Sequence, residues 1–515
     1  MPVATPSLTF DFAGIELDRR HGLSRQLYQV LRQRILDGRL GSGTRLPASR
    51  DLALSLSISR NSVMRAYDQL YAEGFTEGRI GDGTYVAQLP KKSVASEKVS
   101  TKLSTGLSPG LSTGLSTKSL LDAGDPSSKV IHSASLELLQ RHHLGAHKTG
   151  LPRAFRVGVP AFDLFPFDVW GKLHAAFWRK PGLHQLGYGD PAGEWRLREL
   201  IAAYLRTSRD MHCAPEQIVI TSGAQQAITL CAQLLLDAGD GVAVENPGYR
   251  AAGHAFAVAG AKLRGMPVDA QGMRCPDLGG SDCKLAYVTP SHQYPLGVTM
   301  TLARRLELLT WAERTRGWIV EDDYDGEYRY SGAPLAPLAA LDRHGRVLYV
   351  GTFAKVAFPA LRLGYLVLPH NLVTPFSQRR AVDMRHSEIG TQAVMAEFIA
   401  AGHFQRHIRR MRRAALNRRD ALLAGWPEGL RGCSPMPKPL AGLHVSVAVD
   451  CLERERELVV KAESVGVEVA PLSEYWLPES DMPVDNRAGL VLGFAAVPEA
   501  DIASALDRLR RIWRD

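Results

Sequence analysis

Cysteine is scarce in this 515-residue chain, and the six present form no pattern. Cys213, Cys231, Cys275, Cys283, Cys433 and Cys451 make no CxxC pair and recur at no metal-ligand spacing, so no metal site is expected. Scattered thiols fit a reducing compartment better than a disulfide scaffold. Long apolar runs are missing too. No stretch of about 18 or more apolar residues occurs, so no membrane-spanning helix and no membrane partner are expected. The opening residues, MPVATPSLTFDFAGIELDRR, lack a basic segment followed by an apolar core and do not read as an export signal. These absences together point to a cytoplasmic protein. A strong excess of one charge is also lacking. The 62 Lys and Arg against 53 Asp and Glu leave +9, which permits a nucleic-acid partner without demanding one.

What is present divides into three segments, as the length suggests. Residues 1–88 are short and dense in helical pattern. Residues 89–150 change character: LSTGLSPGLSTGLSTK (103–118) is low in complexity, and Lys91, Lys92, Lys98 and Lys102 flank it. That composition predicts a flexible, solvated linker, and about 50 such residues span roughly 35–45 Å, which would let the two ends move independently. From 151 to 515, strand-like runs alternate with helical ones: IVIT (218–221), VAVE (242–245), LAYVT (285–289), WIVEDD (318–323), VLYVGT (347–352) and LGYLVL (363–368). The alternation predicts an α/β unit with a largely parallel sheet. After about 385, VSVAV (445–449), VEVA (467–470), LVLGFA (490–495) and a last helix towards Trp513 predict a smaller α+β subdomain, 385–515.

In the first segment Leu23, Leu27, Val30, Leu31 and Ile35 recur at helical spacing, and Gly38, Gly41 and Gly43 end that helix. Ser49 is placed to cap a short helix bearing Leu52 and Leu56; Ser59 is placed to cap a second, with Val63, Tyr67 and Leu70 inward. GDGT (81–84) between apolar ends predicts a hairpin wing. Helix, turn, helix and hairpin make a winged helix-turn-helix whose second helix presents its first residues to the major groove. GTRLPASRDLA, SRNSVMRAY and GDGTYV resemble the signature of the GntR family of bacterial regulators over most of 23–88. The resemblance implies contacts to a double-stranded DNA operator from Arg50, Arg60, Asn61 and Ser62, a phosphate contact from Arg45 and a backbone contact at Gly83. Met64 stands where some relatives carry a further Arg, so base preference does not transfer.

The third segment holds a nucleophile, a carboxylate, an aromatic ring and an anion cradle, each beside a strand. VGTFAKVAFPALRLGYLVL puts Lys355 just after one strand and Arg362 seven residues on. WIVEDDYDGEYRY puts Asp322 at a strand end and Tyr324 two residues later. ITSGAQQAI runs from strand through a turn into a helix, so the amides of Gly223, Ala224 and Gln225 open a helix N-terminus. ENPGYR sets Tyr249 just past another strand. These are the four things a pyridoxal 5'-phosphate (PLP) site needs: an amine, a partner for the pyridine nitrogen, a stacking ring and phosphate donors.

YGDPAGEWRLRELIAAYL, TSGAQQAI, ENPGY, VTPSHQYPLGVTM, VEDDYDGEYRY, GTFAKVAFPALRLGY and AGLHV, in that order, resemble fold-type-I aminotransferases, and specifically the MocR/GabR group that joins this fold to a GntR head. The resemblance spans 151–515. It implies Lys355 as the Schiff-base lysine, Asp322 at the pyridine nitrogen, Tyr324 at the ring hydroxyl and Tyr249 as the stacking ring. It implies Ser222, Gly223, Ala224, Gln225 and Arg362 around the phosphate, Tyr188 given by the other subunit, and a homodimer, isologous or head-to-tail. Three departures stand out. Ala354 replaces a frequent phosphate-binding Ser; Tyr294 replaces an Asn, with His292 and Gln293 close by; and Glu474 stands where some relatives have an Arg. Arg250 and Arg487 are the weaker candidates to grip a substrate carboxylate. The expectation is a transcription regulator that senses an amino acid, an amine or PLP itself through an external aldimine at Lys355, with sensing rather than turnover as the role of the aminotransferase-like unit. The rivals are a working aminotransferase with an autoregulatory head, and a cofactor-free repressor. The basic run HFQRHIRRMRRAALNRRDALL (403–423) is read as a helix bridging the two parts of the large unit, against a rival reading as a DNA-phosphate surface.

Overall fold

The computed structural model describes Ile15 and residues 17–19, 22–79, 82–88, 133–142, 149–332, 335–478 and 482–513. The expected linker, 89–150, lies outside the described residues except for 133–142 and 149–150.

The N-terminal unit is three helices and a hairpin. Helix α1 (Leu23–Leu36) turns Leu27, Leu31 and Ile35 inward, α2 (Ser49–Ser55) adds Leu52 and Ala53, and α3 (Arg60–Ala72) adds Val63, Ala66, Tyr67 and Leu70. Ser59 caps α3, its Oγ accepting the Ser62 amide at 3.1 Å. The expectation for Ser49 is corrected: it is the first residue of α2, with Ala48 at the cap position and no side-chain cap there. Its Oγ instead accepts Arg60 Nε at 3.3 Å, which ties the two helices of the motif together. Strands β1 (Thr76–Arg79) and β2 (Gly83–Val86) pair antiparallel as the wing. A second correction falls in the linker, where Ala134–Arg141 forms helix α4, capped by Ser133 Oγ on the Leu136 amide.

The large unit follows as α5 (Phe167–Arg179), α6 (Trp195–Arg209), β3 (Ile218–Thr221), α7 (Ala224–Leu235), β4 (Gly241–Asn246), α8 (Arg250–Val258), β5 (Lys262–Asp269), β6 (Gly272–Met273), β7 (Cys283–Val288), α9 (Leu302–Thr315), β8 (Trp318–Asp323), α10 (Leu338–Leu341), β9 (Val347–Thr352), β10 (Gly364–Val367) and α11 (His370–Met384). The sheet order is β3-β10-β9-β8-β7-β4-β5-β6. Its centre, β9-β8-β7-β4-β5, is parallel, while β10 runs antiparallel to β3 and β9 and β6 antiparallel to β5. The sheet is therefore mixed. The central strands are largely buried on both faces, which is why they read as mostly apolar runs.

Helices α12 (Ile389–Ala400) and α13 (His403–Gly425) lead to β11 (His444–Ala448), α14 (Leu452–Ser464), β12 (Ala470–Pro471), β13 (Gly489–Gly493) and α15 (Glu499–Ile512). The three strands form an antiparallel sheet in the order β11-β13-β12. Of VEVA, expected as a strand, only Ala470 joins one; Val467 and Val469 fill the small core. The division between the parts also falls later than 385. Val394, Met395 and Phe398 of α12 pack into a core shared with α6 and β3, and α13 passes from that core at Phe404 and Met411 into the small core at Leu422. Arg418 of α13 is buried, donating to Asp163 at 2.6 Å and to the Ala495 carbonyl at 2.7 Å. This is the geometry of a bridging helix.

The head does not stand apart from the large unit. Leu302, the first residue of α9, is 2% exposed and belongs to the same apolar cluster as Leu31, Leu70 and Phe75 of the head. Arg25 donates to the carbonyls of Arg206 and Thr207 at 2.7 and 2.8 Å, at the end of α6 where carbonyls lack helical partners. Gln29 reaches Asp210 at 2.7 Å. At the centre, Glu73 accepts from Tyr28 and Gln69 and feels Arg32 and Arg305.

Candidate functional site

The candidate residues gather at the carboxyl ends of the parallel strands, where such sheets place ligand sites. Asp322, the penultimate residue of β8, is buried, and its Oδ2 accepts from the Tyr287 hydroxyl of neighbouring β7 at 2.7 Å. Its Oδ1 is buried with no partner among the described residues. Burial pushes the carboxyl up to about 7, against the pull of the Tyr287 hydrogen bond. Lys355, three residues past β9, donates from Nζ to the Gly158 carbonyl at 2.8 Å. Burial lowers its ammonium pKa, while Asp325 and Asp322 hold it up. A depressed lysine beside a carboxylate is the state in which an amine becomes nucleophilic.

The anion cradle is equally concrete. Gly223 takes φ +81°, a conformation costly for other residues, and stands at the N-cap of α7 with no side-chain cap over the helix end. Ala224 and Gln225 are the first two residues of α7. Arg362 donates to the Ser222 carbonyl at 2.7 Å, and its guanidinium lies against Gly223. Any side chain at 223 would press on that guanidinium. Ala354 brings no hydroxyl, but its amide donates to Thr352 Oγ1 at 3.1 Å, so a hydroxyl stands two residues away. Tyr249 sits at the N-cap of α8, edge-on to Tyr294 at 5.8 Å, with its hydroxyl towards Gln225 at 3.5 Å. Gln225 in turn donates to the Ala251 carbonyl.

Tyr188 is not brought to this pocket by its own chain: it is 89% exposed, beside His386. Arg250 is committed to the carbonyls of Glu474 and Trp476, and Arg487 donates to the Met482 carbonyl. Gln293 is fully buried and bonded to Glu245, Pro247 and Tyr294. Three participants were not singled out from sequence: Tyr287 behind Asp322, Gly158 under Lys355, and Asp325. Asp325 stands 2.9 Å from His292 Nδ1, which is also 2.9 Å from the Tyr324 hydroxyl. Asp325 falls inside the quoted EDDYDGEYRY run; the other two come from strands and loops with no motif of their own. His292, Asp325 and His444 bring their ligand atoms within 4.8 Å of one another. Nδ1 of His292 is engaged by Asp325 and Nε2 of His444 by the Pro295 carbonyl at 3.0 Å, so the group reads as a hydrogen-bond network.

On the head, Arg50, Arg60, Asn61 and Gly83 are exposed, at the start of α2, the start of α3 and the wing. Ser62 is partly occupied by the cap, its Oγ 2.9 Å from Ser59 Oγ. Arg45 is exposed beside the wing, bonded to the Asp82 carbonyl, and its guanidinium lies against Gly83. Five of the six thus fall on α2, α3 and the wing, and Arg45 is bridged to the wing at Tyr85, while Leu302 of α9 packs against Gly74 and the charge of Arg305 acts on Glu73, beyond the other end of α3. No helix among the described residues is long and apolar enough to cross a membrane.

Comparison with known proteins follows the same division. Residues 23–86 match the model of "Bacterial regulatory proteins, gntR family", and residues 163–446 that of "Aminotransferase class I and II". The chain is 36% identical over 489 residues to the probable rhizopine catabolism regulatory protein MocR of Rhizobium meliloti, covering 95% of this chain and 93% of that one. It is 31% identical over 480 residues to the pyridoxine biosynthesis transcriptional regulator PdxR of Corynebacterium glutamicum, covering 92% of each. Among solved structures, the Pyrococcus horikoshii kynurenine aminotransferase aligns with a TM-score of 0.63 at 29% identity, over 74% of this chain and 94% of that one.

Proposed function

We propose a function for a chain that belongs to the MocR-type branch of the gntR family, bacterial regulators that carry a class I and II aminotransferase domain. It is a DNA-binding transcription regulator, and its large unit is a PLP-binding sensor for an amino acid or amine. The observation that carries this reading is the bare, buried Oδ1 of Asp322 in the pocket that also holds Lys355 and the open end of α7.

The residues present fit PLP. Asp322 offers an acceptor to a protonated pyridine nitrogen, and a carboxyl already raised by burial gains most from such a cation. The amides of Gly223, Ala224 and Gln225, with Ser222 and Arg362, suit the phosphate. Tyr249 would stack on the ring and Tyr324 would hold its hydroxyl. When bound, PLP supplies a carbonyl that condenses with primary amines and a ring that withdraws electrons. Lys355 would hold that carbonyl, and an amino acid or amine effector would compete with Lys355 for it. No arginine among the weaker candidates faces the pocket free to grip a carboxylate, which favours sensing over turnover.

Coupling to DNA has a physical route. Tyr294 packs on Tyr249 and Tyr324, and Pro295 accepts from His444 and Ser446 of β11. The same loop runs into α9, where Arg305 donates to the carbonyls of Pro290 and Met300 at its two ends. Leu302 also packs into the head's apolar cluster, and the charge of Arg305 acts on Glu73 of the head. A shift of β11 on effector binding therefore reaches the head through a few packed residues. The residues 1–88, 89–150 and 151–515 serve as reader, tether and sensor of a cytoplasmic homodimer in this reading.

The test is the absorption spectrum of the purified protein with PLP, beside Lys355→Ala, each titrated with amino acids and amines. A near-visible band lost in the variant, and shifted in wild type by one class of amine, is expected. Wild-type protein with no such band after added PLP would contradict the cofactor reading.

A further inference from the structure

Beneath the pocket lies a buried group that the four basic needs of the cofactor do not use. Tyr324 donates its hydroxyl to the His292 carbonyl at 2.9 Å, and its oxygen is also 2.9 Å from His292 Nδ1. That Nδ1 stands 2.9 Å from Asp325 Oδ2. His292 and Asp325 are 2% and 1% exposed, so water does not compete for these bonds. An ionised carboxylate only accepts, which places the imidazole proton on Nδ1. Nε2 is then the bare nitrogen, and it has no partner among the described residues.

The ring is also held from the other subdomain. A Cβ on Gly442 would overlap the imidazole, one on Gly297 would lie 3.1 Å from Nε2, and the His444 ring is centred 4.8 Å away. Gly442 and His444 belong to the entry of β11, whereas His292 and Asp325 follow β7 and β8 of the large sheet. The imidazole is thus wedged where the small sheet meets the floor of the pocket.

We propose that His292 and Asp325 are positioning residues that act through Tyr324, orienting its hydroxyl for the ring oxygen of the bound cofactor and tying that orientation to the seat of β11. In this structure the Tyr324 O–H goes to the His292 carbonyl; turned to the cofactor's ring oxygen instead, it would keep the Nδ1–H, shared with Asp325, on its own oxygen, and that bond polarises the O–H and makes it a better donor. Asp325 adds its charge: after burial, it is the largest influence holding the Tyr324 phenol well above its ordinary pKa, so the hydroxyl keeps its proton to give. This inference rests on the cofactor reading above.

The experiment is a cycle of four full-length proteins, wild type, Tyr324→Phe, Asp325→Asn and the double variant, each titrated with PLP. The absorption maximum of the bound cofactor and its dissociation constant are read, with thermal melting of the cofactor-free proteins alongside. Asp325→Asn is expected to shift the band and weaken PLP on the order of ten-fold when the Tyr324 hydroxyl is present, and to change little in the Phe background, a coupling typical of buried contacts. Equal effects of Asp325→Asn in both backgrounds, or none in either, would overturn the proposal. Should Asp325→Asn fail to melt cooperatively, His292→Gln carries the same cycle and the same criterion. Absence of any band in wild type is a different result: it removes the cofactor reading itself.

Discussion

Asp322 lives with one oxygen bonded to Tyr287 and one bare. Its folded pKa, raised to about 7, exceeds the roughly 3.9 of an exposed Asp, so the folded chain holds more protons than the unfolded one between those values. Stability therefore falls as pH rises through that window, and Glu245 and Glu321, also raised to about 7 by burial, act in the same direction. Asp322→Asn removes a charge that must otherwise be buried. Melting of the cofactor-free variant should exceed wild type at pH 8, with a gain that shrinks towards pH 5, while PLP binds more weakly and its band shifts. A variant no more stable than wild type at pH 8 would show that the bare oxygen is not a burden on the fold. At this scale sequence was informative wherever chemistry is packed into a short run. Lys355 and Arg362, or Asp322 and Tyr324, stand close together in short motifs whose ordered set resembles the family, and each of those motifs lies at or just past a strand end. Tyr287 and Gly158 have no such motif: they reach Asp322 and Lys355 across 35 and 197 residues, by a strand pairing and a chain crossing that no local pattern encodes.

Among the elements, the work of DNA recognition is divided, in the proposed reading, between α3 and the wing. Asn61 and Arg60 are exposed at the helix start where base edges are read, and Arg45 stands beside the wing where phosphate is met. Asn61→Ala should therefore relax sequence preference at one base position, at a cost of about 1–3 kcal/mol. Arg45→Ala should weaken all sequences alike and reduce the salt slope of binding by about one. Footprinting and binding across a salt series separate the two; interchange of these effects would reassign the residues. Elements with apolar faces were legible in advance: β3, β8 and β9 fall where their runs predict, because strands buried on both faces are mostly apolar, and the acidic end of β8 marks the site. Strand β5, KLRGMPVD, was not, since beyond its pairing with β4 only the two-residue β6 covers its outer edge, and it is largely exposed and carries charge. VEVA failed for the opposite reason: burial of Val467 and Val469 in the small core satisfies its apolar side chains without a ladder. Helix α4 was hidden by the low-complexity run before it.

Over the whole molecule, composition suggests a tethered head and the structure gives that head a seat. Burying a leucine side chain contributes about 1.5–3 kcal/mol, and Leu302 spends its burial on the head instead of the sheet beneath it. Around it, Glu73 is raised and Arg305 lowered by burial, a polar seam that tolerates few alternative registers. Leu302→Asp should free the head: limited proteolysis of the 89–150 segment should quicken, DNA should still bind, and amines should no longer change that binding. Retained amine response in this variant would place the route to DNA elsewhere. The most direct measurement uses DNA duplexes selected from a random pool by the protein itself. Their affinity is measured for the full-length, PLP-loaded chain across a panel of amino acids and amines, with Lys355→Ala in parallel. At least one compound should change the affinity of wild type and leave Lys355→Ala unmoved. Identical affinity with every compound, in a protein that carries the PLP band, would contradict the claim that this pocket governs the head.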